Sequence, residues 1–163
     1  MRIIGIDPGT GILGFGVIEV VSGRPMRMVT AGVIRTPANT PLEDRLVEIY
    51  DGLKEIITET SPSVMSIEKL FFAQNVTTAI SVSHARGVAM LAGRQAGLEI
   101  GEYTPLQIKQ TLTGYGRADK KQMQEMVRMQ LGLQDVPRPD DAADGLAAAI
   151  THSLMSRQSD KIG

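Results

Sequence analysis

Cysteine is absent from the chain, which excludes disulfides and thiolate-held metals and fits a reducing compartment. Long apolar runs are missing as well. The stretch from Ile12 to Val21 is interrupted by Gly14, Gly16 and Glu19, so no membrane-spanning helix is expected. Too few apolar residues precede Asp7 for a signal peptide, and a soluble, cytoplasmic protein is the expectation. Repeats, low-complexity segments and interdomain linkers are also lacking. The 163 residues suit one domain over 1–156, followed by a polar, frayed tail at 157–163. The nine methionines read as adaptable core filler rather than a metal or redox feature.

An excess of one charge is lacking too. The formal net charge is −1 and the isoelectric point about 6.1, which argues against a uniformly basic nucleic-acid binder. The distribution is uneven. Residues 41–68 carry seven acids against Arg45 and Lys54, whereas residues 84–138 carry eight basic residues against five acids. A basic surface on one side of the molecule is compatible with this, as is a mixed solvated surface.

Three strand-like runs open the chain, Arg2–Asp7, Ile12–Val20 and Arg27–Arg35, with connections short enough for antiparallel neighbours. Leu42, Leu46, Ile49, Leu53, Ile56 and Ile57 then recur at helical spacing. They predict a helix from Pro41 to Thr60 with Thr40 as its cap. A strand at Val64–Glu68, a loop at Lys69–Asn75 and a small-residue helix at Val76–Ala96 come next. A strand at Glu99–Tyr103 and helices at Pro105–Leu112, Asp119–Leu131 and Asp140–Met155 complete the pattern. Met123, Met126, Val127 and Met129 would lie near or on the buried face of the Asp119 helix. This order predicts an α/β fold with a mixed sheet.

Asp7 ends the first strand and is followed at once by the turn Pro8-Gly9-Thr10-Gly11. Ligands in open α/β sheets bind beyond the carboxyl ends of strands. A carboxylate there either bonds the turn amides or faces a cation. Glu68 ends the fourth strand. If the two strands lie side by side and parallel, the carboxylates meet at one rim. Asp140, Asp141 and Asp144 open the last helix, where capping explains Asp140 or Asp141 but not Asp144. Several acids in one place either take up protons or hold a cation. Oxygen ligands without His or Cys favour Mg²⁺ or Mn²⁺ over zinc. Two such ions would suit phosphodiester displacement.

The chain resembles the RuvC family of Holliday junction resolvases, within the ribonuclease-H-like fold. The resemblance rests on an ordered set of segments. They are Gly5-Ile6-Asp7-Pro8-Gly9, Ile67-Glu68 with Phe71 and Asn75 following, Ala85-Arg86-Gly87-Val88 and Gln107-Ile108-Lys109-Gln110. Gly116-Arg117-Ala118-Asp119-Lys120, Asp141-Ala142-Ala143-Asp144-Gly145-Leu146-Ala147 and Ile150-Thr151-His152 close the set. It implies a three-layer fold, with a mixed five-stranded sheet and helices on both faces. The implied activity is an endonuclease that makes paired symmetric nicks in four-way DNA junctions during homologous recombination and DNA repair. Asp7, Glu68, Asp141 and Asp144 match its metal-binding acids, which would hold two Mg²⁺ ions, with Mn²⁺ able to substitute. Lys120 and Lys109 match basic positions near the scissile phosphate. Phe71 matches an aromatic that stacks on an unpaired base, and Arg86, Lys109, Arg117 and Lys121 would contact the DNA backbone. His152 is open between a helix-end role and a catalytic one. A bacterial homodimer working with a RuvA and RuvB type helicase complex is implied as well.

Two rivals share the opening motif. Gly-Ile-Asp-x-Gly-Thr also resembles the first phosphate loop of the actin, heat-shock and sugar-kinase ATPases, although this chain has no duplicated lobe. The YqgF-like branch of the same superfold shares the opening, but not the segment from Lys109 to Lys120.

Overall fold

The computed structural model describes residues 1–69 and 76–162. Strands β1 (Arg2–Asp7), β2 (Ile12–Glu19), β3 (Arg27–Arg35), β4 (Val64–Glu68) and β5 (Glu99–Tyr103) form one sheet in the order β3-β2-β1-β4-β5. β2 is antiparallel to both β1 and β3. β4 is parallel to β1 and to β5. The carboxyl ends of β1, β3, β4 and β5 therefore share one edge of the sheet. Helices α1 (Leu42–Thr60) and α2 (Val76–Gln95) cover one face. Helices α3 (Pro105–Thr113), α4 (Lys120–Gln130) and α5 (Asp140–Ile162) cover the other. This is the expected three-layer arrangement.

β1 is central and buried on both sides, as its unbroken apolar run requires. Ile3 packs toward α5, while Ile4 and Ile6 pack toward α1 and α2. All three are fully buried, and each such side chain contributes about 1.5–3 kcal/mol. The α5 face of the sheet is paved with glycine. A Cβ on Gly5 would lie 1.9 Å from the Gly145 carbonyl oxygen, and one on Gly14 would lie 1.9 Å from that of Asp141. A Cβ on Gly16 would meet Leu146 at 2.5 Å. The backbone of α5 thus rests directly on β1 and β2. Its residues from Ala142 to Ser153 are buried save Asp144, so this helix is apolar nearly all round rather than amphipathic.

Several boundaries differ from expectation. α5 does not fray after Met155 but continues to Ile162. Its last turns are polar because they project into solvent, not because they leave the helix. Thr40 does not cap α1. Pro41 holds the N-cap position with ψ 144° and no side-chain cap, so the helix starts one residue later and Thr40 is out of reach. Glu43 and Asp44 in the first turn supply the favourable charge instead. Met129 is 58% exposed, because it lies roughly 200° around α4 from the buried Val127.

Candidate active site

The parallel pairing of β1 with β4 places Asp7 and Glu68 at adjacent strand ends. Both point toward α5, since alternate residues Gly5 and Ser66 do so: Gly5 abuts Gly145, and Ser66 donates to the Ala148 carbonyl at 2.6 Å. The close approach at Gly14 presses the first turn of α5 against the same edge. Carboxylate oxygens of Asp7, Asp141 and Asp144 come within 4.8 Å of one another. Glu68 stands outside that tight triad, but its carboxylate is near enough to Asp7 for each to perturb the other.

Burial and mutual repulsion govern the protonation of this cluster. Desolvation, then the charges of Glu68 and Asp144, push Asp7 from 3.8 to about 9. Burial also raises Glu68, opposed by its bond to Asp7 and by the Lys109 charge. Asp144 rises for the same first reason, opposed by Lys120. Burial and the crowding of carboxylates thus favour retention of a proton within the cluster at neutral pH. A divalent cation would relieve the same repulsion, and the all-oxygen donor set suits a hard ion such as Mg²⁺ rather than zinc.

Two basic side chains reach the cluster from helices with well-defined starts. Thr104 caps α3 in a reciprocal box with Gln107, and Asp119 caps α4 in the same way with Gln122. Those caps set the positions of Lys109 and Lys120. Both lysines line a cleft of about 320 Å³ together with Glu68, Asp144, Ile108 and Met123. Lys120 pairs with Asp140 at 3.3 Å. Partial desolvation lowers its pKa, but the Asp140 bond and the Asp144 charge outweigh that and leave it raised. Asp140 is therefore a latch rather than a cap, and it also accepts from Gln124 at 3.0 Å. Its spacing from Asp144 shows on the sequence, whereas its partners on α4 do not.

The remaining expected residues separate. Arg117 is exposed before α4, and Lys121 faces a second, more apolar cleft beside Tyr115. Arg86 pairs with Glu102 on the α2 face of the sheet, away from the acids. Phe71 and Asn75 lie outside the described residues. His152 sits mid-helix, not at a helix end, because α5 runs on past it. Its Nδ1 is 2.8 Å from the Tyr103 hydroxyl, burial lowers its pKa, and it does not reach the acid cluster.

Acids from two parallel strand ends and from a helix laid across them, on a sheet of this order, define a ribonuclease-H-like, metal-dependent nuclease. Comparison with known proteins narrows the class. Residues 3–152 match the family described as crossover junction endodeoxyribonuclease RuvC. The chain is 50% identical over 163 residues to that enzyme of Chloroflexus aurantiacus, covering 100% of this chain and 99% of the relative. It is 53% identical over 161 residues to that of Rubrobacter xylanophilus, covering 99% and 89%. A solved structure of Thermus thermophilus RuvC in complex with a Holliday junction superposes with a TM-score of 0.92 at 35% identity, covering 98% of this chain and 96% of that one. The chain belongs to the RuvC family of Holliday junction resolvases, nucleases that hydrolyse phosphodiester bonds. The ATPase and YqgF-like readings of the opening motif fall away.

Proposed function

We propose that Asp7, Glu68, Asp141 and Asp144 hold two Mg²⁺ ions, and that the chain uses them to place paired symmetric nicks in four-way DNA junctions. The carrying observation is the convergence of three of these acids within 4.8 Å beside the cleft that Glu68, Lys109 and Lys120 line. Held by these acids, such ions would supply charge neutralisation and water activation for a phosphodiester displacement. The protein's own groups do the rest. Lys109 and Lys120 offset charge that builds on the phosphate. Arg117 and Lys121 contact the DNA backbone without reading sequence. Arg86 does so only if the DNA reaches the Glu102 side of the sheet. Phe71 stacks on an unpaired base at the open junction centre. We read 1–156 as the nuclease domain and 157–163 as an appendage.

Two opposed nicks need two sites, and α2 supports a homodimer. Val76, Ile80 and Leu91 are 71%, 55% and 53% exposed. They lie within roughly 60° of arc on one helical face. Gly87 lies on that face with nothing among the described residues within 4 Å of where its Cβ would be, so a second helix can approach closely. A bacterial, cytoplasmic setting and cooperation with a RuvA and RuvB type helicase complex complete the proposal. Bacterial relatives and the absence, among the described residues, of a helix able to cross a membrane support the setting.

The test is incubation with a synthetic four-way junction, Mg²⁺ and a matched linear duplex. Symmetric nicks in the junction alone are expected. Equal cutting of the duplex, or nicking that survives removal of divalent ions, would contradict the proposal.

A further inference from the structure

The basic groups assigned so far all lie on one side of the acids, on α2, α3 and α4 and in the segment just before α4. The other side of the same sheet edge carries two arginines of a different kind. Arg35 ends β3 opposite Ile12, and Val33 lies opposite Gly14. Directly opposed residues share a face, and Gly14 faces Asp141, so Arg35 points to the face where the acids gather. β3 is two strand spacings from β1, roughly 10 Å. Arg45 lies in the first turn of α1, at the same edge but on the opposite face. That is the unfavourable end of a helix for a cation. Neither arginine has a carboxylate within ion-pair distance among the described residues.

Arg45 is nevertheless held in place. Its Nε donates to the Thr36 hydroxyl at 2.8 Å. The Thr36 hydroxyl in turn donates to the Thr10 carbonyl, and the Thr10 hydroxyl bonds that of Ser81 on α2. Both threonines are buried. Nη2 of Arg45 lies over the turn after Asp7, 3.3 Å from where a Cβ on Gly11 would be. The guanidinium is thus fixed along one side to the turn after Asp7, and no carboxylate among the described residues pairs with its other donors. Such a fork suits a phosphate.

We propose that Arg35 and Arg45 form a second phosphate-binding arm on the β3 side of the acids, opposite Lys109 and Lys120. It grips the DNA backbone on that side of the site, and the hydroxyl chain through Thr36, Thr10 and Ser81 fixes the position of Arg45 relative to the turn after Asp7. This inference rests on the junction-nuclease reading.

The test measures affinity for a four-way junction against KCl concentration, in EDTA so that no cutting occurs. Removing one cation from a phosphate reduces the slope of log affinity against log salt by about 0.9. Arg35→Gln should show about one such step and the double variant with Arg45→Gln about two. Arg45→Lys should recover most of the Arg45 step. Arg24→Gln, at the far edge of the sheet, should show none. A merely structural Arg45 would lower the melting temperature and leave the slope intact. Because Arg35 is exposed, Arg35→Gln gives a reading even if Arg45→Gln fails to fold. An unchanged slope in Arg35→Gln, or an equal decrease in Arg24→Gln, overturns the proposal. Failure of the underlying reading would show separately, as wild-type protein that binds duplex as tightly as junction.

Discussion

Asp7→Asn should abolish nicking and, in the absence of metal, stabilise the protein. The folded-state pKa of Asp7 is about 9 against an ordinary 3.8. At pH 7 the folded chain therefore keeps a proton that the unfolded chain has released. That retention costs about 1.4 kcal/mol for each pH unit above the unfolded value, or about 4 kcal/mol at pH 7. The sign follows from linkage. A raised carboxyl pKa costs nothing below pH 4, and the penalty grows as pH rises toward 9. Asparagine is neutral at every pH, and its amide can donate to Glu68 and Asp144. In EDTA at pH 7 the variant should melt about 10 °C above wild type, at 2–4 °C per kcal/mol for a domain of this size. The gap should close as pH falls toward 4. Adding Mg²⁺ should raise the wild-type melting temperature, because the ion relieves the repulsion between the acids, and should raise that of the variant much less. Melting curves over pH 4–8, with and without Mg²⁺, test all of this together. A variant that melts below wild type in EDTA, or a gap that ignores pH, would refute the account of the cluster as stored repulsion.

Three further outcomes follow from the geometry. Gly14→Ala places a methyl group 1.9 Å from the Asp141 carbonyl oxygen. It should lift α5 off β2, cost about 3 kcal/mol in denaturant titration and impair nicking by displacing Asp141. Lys109→Ala should slow nicking of saturating junction by about 10²-fold, whereas Lys121→Ala should chiefly weaken binding and its salt dependence, as single-turnover and binding assays would separate. Ile80→Glu puts a charge into the exposed stripe on α2. It should give monomers by sedimentation and leave single rather than paired nicks, and an unchanged dimer would move the interface elsewhere.

Much of the architecture was legible because each element announces its own period. The apolar run of β1, the spacing of α1 and the Gly and Pro punctuation are local signals, and local signals survive in one dimension. The exceptions are informative. α5 shows no polar face, so the pattern suggested a stop at Met155 where the residues merely turn polar. Met129 was misplaced because a short helix of mixed composition leaves its buried arc ambiguous. On the sequence Arg45 is only one of two bases, with Lys54, set against the acids of residues 41–68, since its direction toward the Asp7 turn depends on Thr36, a residue of another element.

By itself the sequence determined that carboxylates end two strands and open a helix, that no thiolate is available to hold a metal, and which family the ordered motifs resemble. Those properties follow from residue type and chain order. Only the tertiary structure decided that β1 and β4 are parallel neighbours, so that Asp7 and Glu68 meet. Only the glycine-paved face of the sheet lets α5 lie close enough to bring in Asp141 and Asp144. The raised pKa of Asp7 belongs to that second category entirely. It arises from burial and from charges up to 137 positions away along the chain, at Asp144, and no local property of the Asp7 segment encodes it.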